Sequence, residues 1–349
     1  MELTFKARVA KFWEWYTSVA DRFYNVIESG DCPSLAEEVS EQTSALLPGL
    51  SWVFGPGENG VGHSFTITGE GEVGKQLLAR YWHQQAPELP NWTFYGSRQP
   101  SPPERLSDIA IQVGEQEEVD VENFLVQTDV DEENQIIHIV AWHPNLELVP
   151  EEHHMQILFL LLDEAMGEFG TQTWIGRIEA KPFEPNERTR SLGKLPEYIT
   201  HVDNYHQWQK LPPLESYTLY QVNEPVDCPR GDTIVGSSAV AELIFDFIEN
   251  DGALEENTFI GTGADLVYLR YDNSIFADGN QADERGNIED TVNEALEAAD
   301  SGSVLGGAFG SKYSYSEMIL FDGANSRAIV DEELAKLNLQ GRYTVEPIS

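Results

Sequence analysis

The chain has 349 residues, with 60 Asp+Glu against 21 Lys+Arg and a formal net charge of -39. Such a field repels phosphate backbones and anionic lipid surfaces, so neither nucleic acid nor a membrane is expected as a partner. A hydrophobic content of 41% and an aromatic content of 11% place the chain among folded proteins.

The acidity has three readings. The plainest is a solvated surface. The functional one is a basic protein partner, steered by long-range attraction. The third is a salty medium or a bound cation. Two cysteines, Cys32 and Cys228, lie far apart, each in an Asp-Cys-Pro triplet. They form no disulfide framework and no Cys-x-x-Cys, so reduced thiols are expected. The N-terminus carries charge throughout, unlike a secretory signal. The longest strongly apolar run, ILFLLL at 157–162, is too short to span a bilayer. The expectation is a cytoplasmic protein.

Phe5, Val9, Phe12, Tyr16, Val19, Phe23 and Val26 recur at helical spacing and predict a helix over 3–28. Trp13 and Trp15 widen the stripe, which reads as core packing before a docking surface. A second helix is expected at 34–47, with Ser34 and Glu37 as a capping box. Residues 51–100 then read strand, glycine turn, strand, helix, strand, and hold Trp52, Trp82 and Trp92. These tryptophans are candidate binding residues if exposed and core residues if not. GPGENGVG (55–62) is followed by a strand and not a helix, and no Walker or dinucleotide pattern is present. It is turn chemistry.

The order returns further on. Strands are expected at 119–127 and 135–142, a helix at 151–168 and a strand at 171–179. The repeat is one of element order, hairpin–helix–strand, since residue identity between the two stretches is negligible. The apolar middle of the 151–168 helix predicts deep cover. His153 and His154 read as surface side chains. Asp163, Glu164 and Glu168 near the C-terminal end conflict with the helix dipole and mark candidate functional carboxylates. Residues 183–214, rich in proline, read as a connector. Arg188, Arg190 and Lys194 there are expected to dock on acidic groups of the same chain. His201, Asp203 and His206 form a candidate metal site without helical zinc spacing.

The remainder, 215–349, reads roughly β-α-β-α-β-β-α-β. Residues 246–300 hold fifteen acids against Arg270 and Arg285. Asp272, Asp278, Asn280 and Asp283 supply oxygen ligands of the type calcium or magnesium takes, although the EF-hand pattern fails. A solvated loop is the competing reading. Gly306, Gly307 and Gly310, with Ser311, Ser314 and Ser316, mark close backbone approach or a small-molecule cleft. No nucleophile elbow accompanies them.

SWVFGPGENG, LPNWTFYGSRQP, DCPRGD and SVLGGAFGSKYSYSEMILFD resemble phrases in bacterial proteins assigned to domains of unknown function. The resemblance implies a structurally regular bacterial protein, and it carries no activity and no catalytic residue. The expected fold is α+β: two domains, mainly antiparallel sheets, helices packed on one face. Bounds of 1–182, a connector at 183–214, and 215–349 are expected. No cofactor is expected. The leading functional expectation is a non-enzymatic binding or regulatory protein acting on a protein partner. The alternative is a hydrolase-like enzyme or cation binder, with its site in the C-terminal domain or between domains.

Overall fold

Thr4 starts the first helix. Its hydroxyl accepts from the Ala7 N–H at 3.3 Å, and α1 runs over Phe5–Glu28. The computed structural model describes residues 3–115, 117–222, 228–276 and 280–348. Helix α2 is Ala36–Leu46, preceded by a 3-10 turn at Cys32–Leu35. The expected capping box is absent. Ser34 donates back to the Asp31 carbonyl at 2.8 Å, because Pro33 has already committed the chain to a tight turn. A hairpin follows, β1 (Ser51–Pro56) with β2 (His63–Thr68), then α3 (Val73–Gln84) and β3 (Trp92–Tyr95), which pairs parallel to β2. Residues 64–68 are all buried.

The stretch 97–216 adds α4 (Pro103–Leu106), β4 (Ala110–Gln112), β5 (Glu118–Asp120), β6 (Leu125–Asp131) and β7 (Ile136–Trp142). Then come α5 (His154–Met166), α6 (Glu168–Trp174), β8 (Ile175–Ala180), β9 (Thr189–Ser191) and α7 (Leu195–His206). The chain closes with β10 (Thr218–Val222), β11 (Ile234–Ser238), α8 (Ala241–Glu249), β12 (Asp265–Asp272), α9 (Gln281–Ala298), β13 (Gly302–Gly310), β14 (Tyr313–Leu320), α10 (Ala324–Lys336) and β15 (Tyr343–Pro347). The fold is α+β. The largest sheet is antiparallel throughout, in the order β10-β11-β13-β14-β12-β15.

The hairpin–helix–strand order occurs twice. In β1-β2-α3-β3 and in β6-β7-α5-α6-β8, the last strand lies parallel to the second hairpin strand. The two copies belong to different sheets. They also fall in different compact units, one of residues 97–216 and one of 1–96 with 217–349. The expected connector lies inside the first. Leu192, Leu195, Ile199 and Val202 are buried in its core beside Val126, Ile139 and Leu158. An apolar stripe on α7 outweighed the proline count. The larger unit joins the two ends of the chain. Within it, the Phe5 N–H donates to the Gly263 carbonyl at 3.0 Å, and the Tyr81 and Phe321 rings lie 4.0 Å apart.

Several local expectations are corrected. The strand expected at 119–127 is two strands, because the 120–124 turn is closed by Asp120 accepting from the Asn123 N–H at 2.8 Å. The helix expected at 151–168 breaks at Gly167, which takes φ +72°. A Cβ there would lie 2.8 Å from Pro100. Residues 168–174 consequently stay helical and the strand begins at Ile175, so Trp174 lies outside it. The apolar middle of α5 is covered on one side only, leaving Phe159 and Leu160 exposed. His154 is buried, with its ring nitrogen 2.8 Å from the Val149 carbonyl. Strand β11 went unread, because IVGSS runs straight into the helix signal that follows it.

The first core is aromatic. Trp13 stacks on Trp82 at 4.5 Å, and Tyr16 meets Trp92 edge-on at 5.4 Å. The indole N–H groups of Trp13 and Trp92 donate to the Trp82 and Ala20 carbonyls, each at 3.2 Å. Trp82→Ala should cost about 3–5 kcal/mol, since the close-packed rings around it cannot collapse into the space. Urea unfolding measures this, and a loss below about 1 kcal/mol would contradict so tight a packing.

Candidate functional site

Strand alternation sorts the large sheet into two faces. Val267, Leu269 and Tyr271 of β12, with Met318 and Leu320 of β14, meet Ile288, Val292 and Leu296 of α9 and Val330 and Leu334 of α10. The opposite face carries Tyr220, Gly236, Ala308, Tyr315, Glu317 and Tyr268.

Into that opposite face drops the loop at 228–232, CPRGD. Arg230 lies between the rings of Tyr268 and Tyr315, 4.9 and 5.0 Å from their centroids. It donates to Glu317 Oε1 at 2.9 Å and to the Tyr220 hydroxyl at 3.3 Å. The Tyr220 hydroxyl itself donates to Glu317. Both charged side chains are fully enclosed. Charges so desolvated persist only when paired and hydrogen-bonded. Burial disfavours the charged guanidinium, yet Glu317 and Tyr220 outweigh burial and hold its pKa above the ordinary value. Burial and Glu317 likewise raise the Tyr220 hydroxyl. Gly236 makes the arrangement possible, because a Cβ there would lie 2.4 Å from the Tyr220 ring.

Gly231 takes φ +76°, a turn that suits glycine. Asp232 follows it and accepts from Ser311 Oγ (2.6 Å), Lys312 N (2.8 Å), Tyr313 N (3.0 Å) and Thr233 N (2.9 Å). It therefore ties this loop to the β13–β14 turn. Burial raises its pKa, but the hydrogen bonds from Ser311, Lys312, Tyr313 and Thr233 prevail and hold the carboxyl below its usual range. Gly310 leaves room, since a Cβ there would sit 2.2 Å from the Asp232 carboxylate. CPRGD (228–232) and the glycine–serine stretch, distant in sequence, thus form one structure.

On the helix-bearing face the cover by described residues stops at β13. Beyond it, cross-strand rows run Gly307–Ser237–Leu219 and Phe309–Val235–Gln221. Leu219 is 79% exposed, Phe309 40% and Val235 39%. Tyr217 is also exposed, and alternation puts it on the same side as Leu219. The border of this open half is an ion pair on α9, Arg285 Nε to Glu289 Oε1 at 3.3 Å. Ser316 Oγ donates to Glu289 at 2.8 Å and lies 2.8 Å from the Tyr271 hydroxyl. Gly307 is the floor beneath the pair. A Cβ there would fall 2.1 Å from Glu289 Oε1 and 3.0 Å from Arg285 Cζ. Burial pushes Glu289 up to about 7, offset in part by Arg285 and Ser316 and reinforced by Glu317 and Asp290.

The three glycines therefore admit neighbouring groups. Gly307 and Gly310 receive side chains, and Gly306 lets β11 approach, a Cβ there lying 2.4 Å from the Ser237 carbonyl. Trp82 and Trp92 are buried and Trp52 is half-buried against Phe65, so all three belong to the aromatic core. Asp272 accepts from the Ser274 N–H at 2.9 Å, Asn280 precedes α9, and Asp283 lies exposed in its first turn. Asp278 lies outside the described residues. Among the described residues no three His, Cys, Asp or Glu side chains gather as metal ligands. His206 stacks on Trp208 at 5.1 Å, while His201 is exposed.

The carboxylates near the end of α5 have local partners. Asp163 accepts from Thr171 at 3.0 Å, Glu164 from Ser101 at 2.5 Å, and Glu168 from the Arg98 N–H at 3.3 Å. Arg188 pairs with Asp129 at 3.0 Å, and Arg190 lies over Tyr198 at 3.5 Å, so this basic cluster docks within its own unit. A cavity of about 390 Å³ lined by Arg80, Tyr81, Gln85, Glu297, Asp300 and Ser303 has no histidine or cysteine among its described lining residues. Both cysteines are free thiols, Cys228 buried. Among the described residues no helix is long and apolar enough to cross a membrane.

Arg230, Glu317, Arg285, Glu289 and the Leu219–Val235–Phe309 patch were not singled out from sequence. One signal was present: Glu317 is a charge opening the apolar run EMILF. No protein-family model, no curated protein and no solved structure matches the chain.

Two predictions concern the carboxylates. Asp232→Asn should destabilise by about 2–4 kcal/mol at pH 7, because it leaves turn N–H groups poorly matched. A carboxyl with a lowered folded pKa stabilises above its unfolded value and loses that effect as pH falls. The gap between variant and wild type should therefore shrink below about pH 4; a gap that stays constant into acid would contradict this. Glu289 has the opposite sign. Its raised folded pKa means stability is lost as pH rises from about 4.3, the unfolded value, to about 7. Glu289→Gln should gain on wild type across that window by about 1–3 kcal/mol. Urea titrations at the two ends of the window read the difference, and an unchanged gap would refute the shift.

Proposed function

We propose that the protein is a non-enzymatic binding module that engages a protein partner through the uncovered half of its large sheet. The observation that carries this reading is the joint exposure of Leu219, Val235 and Phe309 on three adjacent strands. Exposed large apolar side chains scattered singly are ordinary. A contiguous set on a sheet face marks a contact surface. The surface is also firm at β10, because Tyr220 on the other face of that strand is hydrogen-bonded into the enclosed Arg230–Glu317 cluster. The net charge of -39 favours a basic partner, whose approach would be fast and sensitive to salt.

The test compares the wild type with a Leu219→Ser, Val235→Thr, Phe309→Ser variant as bait. Exposed sites of this kind shift stability little, so the variant should melt close to wild type. The expected outcome is a set of proteins crosslinked by wild type, weakened by added salt, and lost from the variant. Identical capture by the two baits would sink the reading.

A further inference from the structure

We infer that the cavity between α3 and the C-terminal end of α9 binds a neutral sugar of one or two rings. The inference goes beyond the sheet-face reading and does not depend on it.

The cavity has a volume of about 390 Å³, and its lining residues belong to the unit of 1–96 with 217–349. Its apolar part is fixed. Leu77, Tyr81 and Phe321 are buried, and the Tyr81 and Phe321 rings lie 4.0 Å apart. The Tyr81 hydroxyl donates to the Asp300 carbonyl at 2.9 Å, and the Gln85 amide donates to Asp300 Oδ1 at 3.2 Å. These bonds tie α3 to the turn between α9 and β13. The rest of the lining, Gly302 apart, is polar: Arg80 and Gln84 on α3, Glu297 in the last turn of α9, and Ser303 on β13. The side chains of Gln84, Glu297 and Ser303 have no hydrogen-bond partner among the described residues.

The turn is out of keeping with its place in the chain. Asp300 takes φ +47° just past a helix end, where glycine or asparagine is the usual residue. Glu297 and Asp300 also put two carboxylates where the helix dipole is already negative. Breaches of local preference gather at functional sites.

The lining narrows the occupant by elimination. An anion meets Glu297, Asp300 and a net charge of -39. A cation meets the Arg80 guanidinium in the same lining, and Gln85 already engages one of the two carboxylates. An apolar ligand would strip water from the polar groups and return no hydrogen bonds. A nucleobase finds no free ring face, because Tyr81 and Phe321 pack on each other and on Phe5. A sugar fits what remains. Each hydroxyl donates once and accepts twice, so it can serve a carboxylate, an amide and the Ser303 hydroxyl in turn. Its C–H groups suit Leu77 and the ring edges, and a volume near 390 Å³ holds one or two rings.

The probes are maltose, cellobiose, lactose, sucrose and trehalose, each added to the full chain and read by saturation-transfer NMR. Spermidine, citrate and uridine are run beside them. The inference expects transfer to at least one disaccharide and to none of the other three compounds. Added salt should leave the binding unchanged, because the ligand is neutral. Glu297 is exposed and Ser303 half-buried, so the double variant Glu297→Gln, Ser303→Ala should melt close to wild type. It should bind the disaccharide about tenfold more weakly or worse. The Leu219→Ser, Val235→Thr, Phe309→Ser variant should bind it as wild type does, which separates this site from the sheet face. Transfer to no disaccharide, equal binding by wild type and the double variant, or transfer to spermidine, citrate or uridine in place of sugar would overturn the inference.

Discussion

The large sheet depends on one enclosed charge. Arg230 reaches strands from both halves of the sheet through Tyr220 on β10, Glu317 and Tyr315 on β14, and Tyr268 on β12. An ion pair so deep adds little net stability over an apolar replacement, but losing one partner strands the other charge in a dry interior. What the cluster supplies is registry. It can close only if the 228–232 loop, β10 and β14 are all in place. The bare glycines Gly236 and Gly310 are the condition for that closure, because they clear space for the Tyr220 ring and the Asp232 carboxylate.

The two faces follow from this. Helices α9 and α10 bury the β12–β14 side through a narrow apolar line, Ile288, Val292 and Leu296 on α9 with Val330 and Leu334 on α10. That line is too short to extend across six strands. At its edge the Arg285–Glu289 pair rests on Gly307, and beyond it, among the described residues, no helix lies over the apolar side chains of the strands. On the opposite face α8 packs against β10, its Phe245 ring 6.0 Å from that of Tyr220. On the uncovered side Leu219, Val235 and Phe309 remain exposed to water.

Much of the architecture was legible from periodicity. The α1 stripe, the aromatic strands around Trp52 and Trp92, and the doubled hairpin–helix–strand order all rest on local patterns, and all appear. Two kinds of feature were not legible. Boundaries set by one residue's backbone, such as Gly167 ending α5, depend on the close approach of Pro100, a contact from sixty-odd positions away. The candidate site depends on longer-range pairing still. Nothing near Arg230 in sequence announces Glu317, and Leu219 reads as an ordinary strand residue until the missing helix cover is seen. The glycines at 306, 307 and 310 were correctly noticed as places of close approach. What approaches is the chain itself, through Ser237, Glu289 and Asp232.

If the enclosed cluster holds β10 in place, removing one hydroxyl from it should be felt locally. Tyr220→Phe removes the hydroxyl that links β10 to Arg230 and Glu317 and leaves the ring packed on Gly236. Amide hydrogen exchange followed by mass spectrometry should then show residues 218–222 and 234–238 exchanging about tenfold faster, the equivalent of one hydrogen bond. Peptides from β12, β14 and the aromatic core should be unchanged. Unaltered exchange in β10 and β11, or acceleration spread evenly through the chain, would contradict the account.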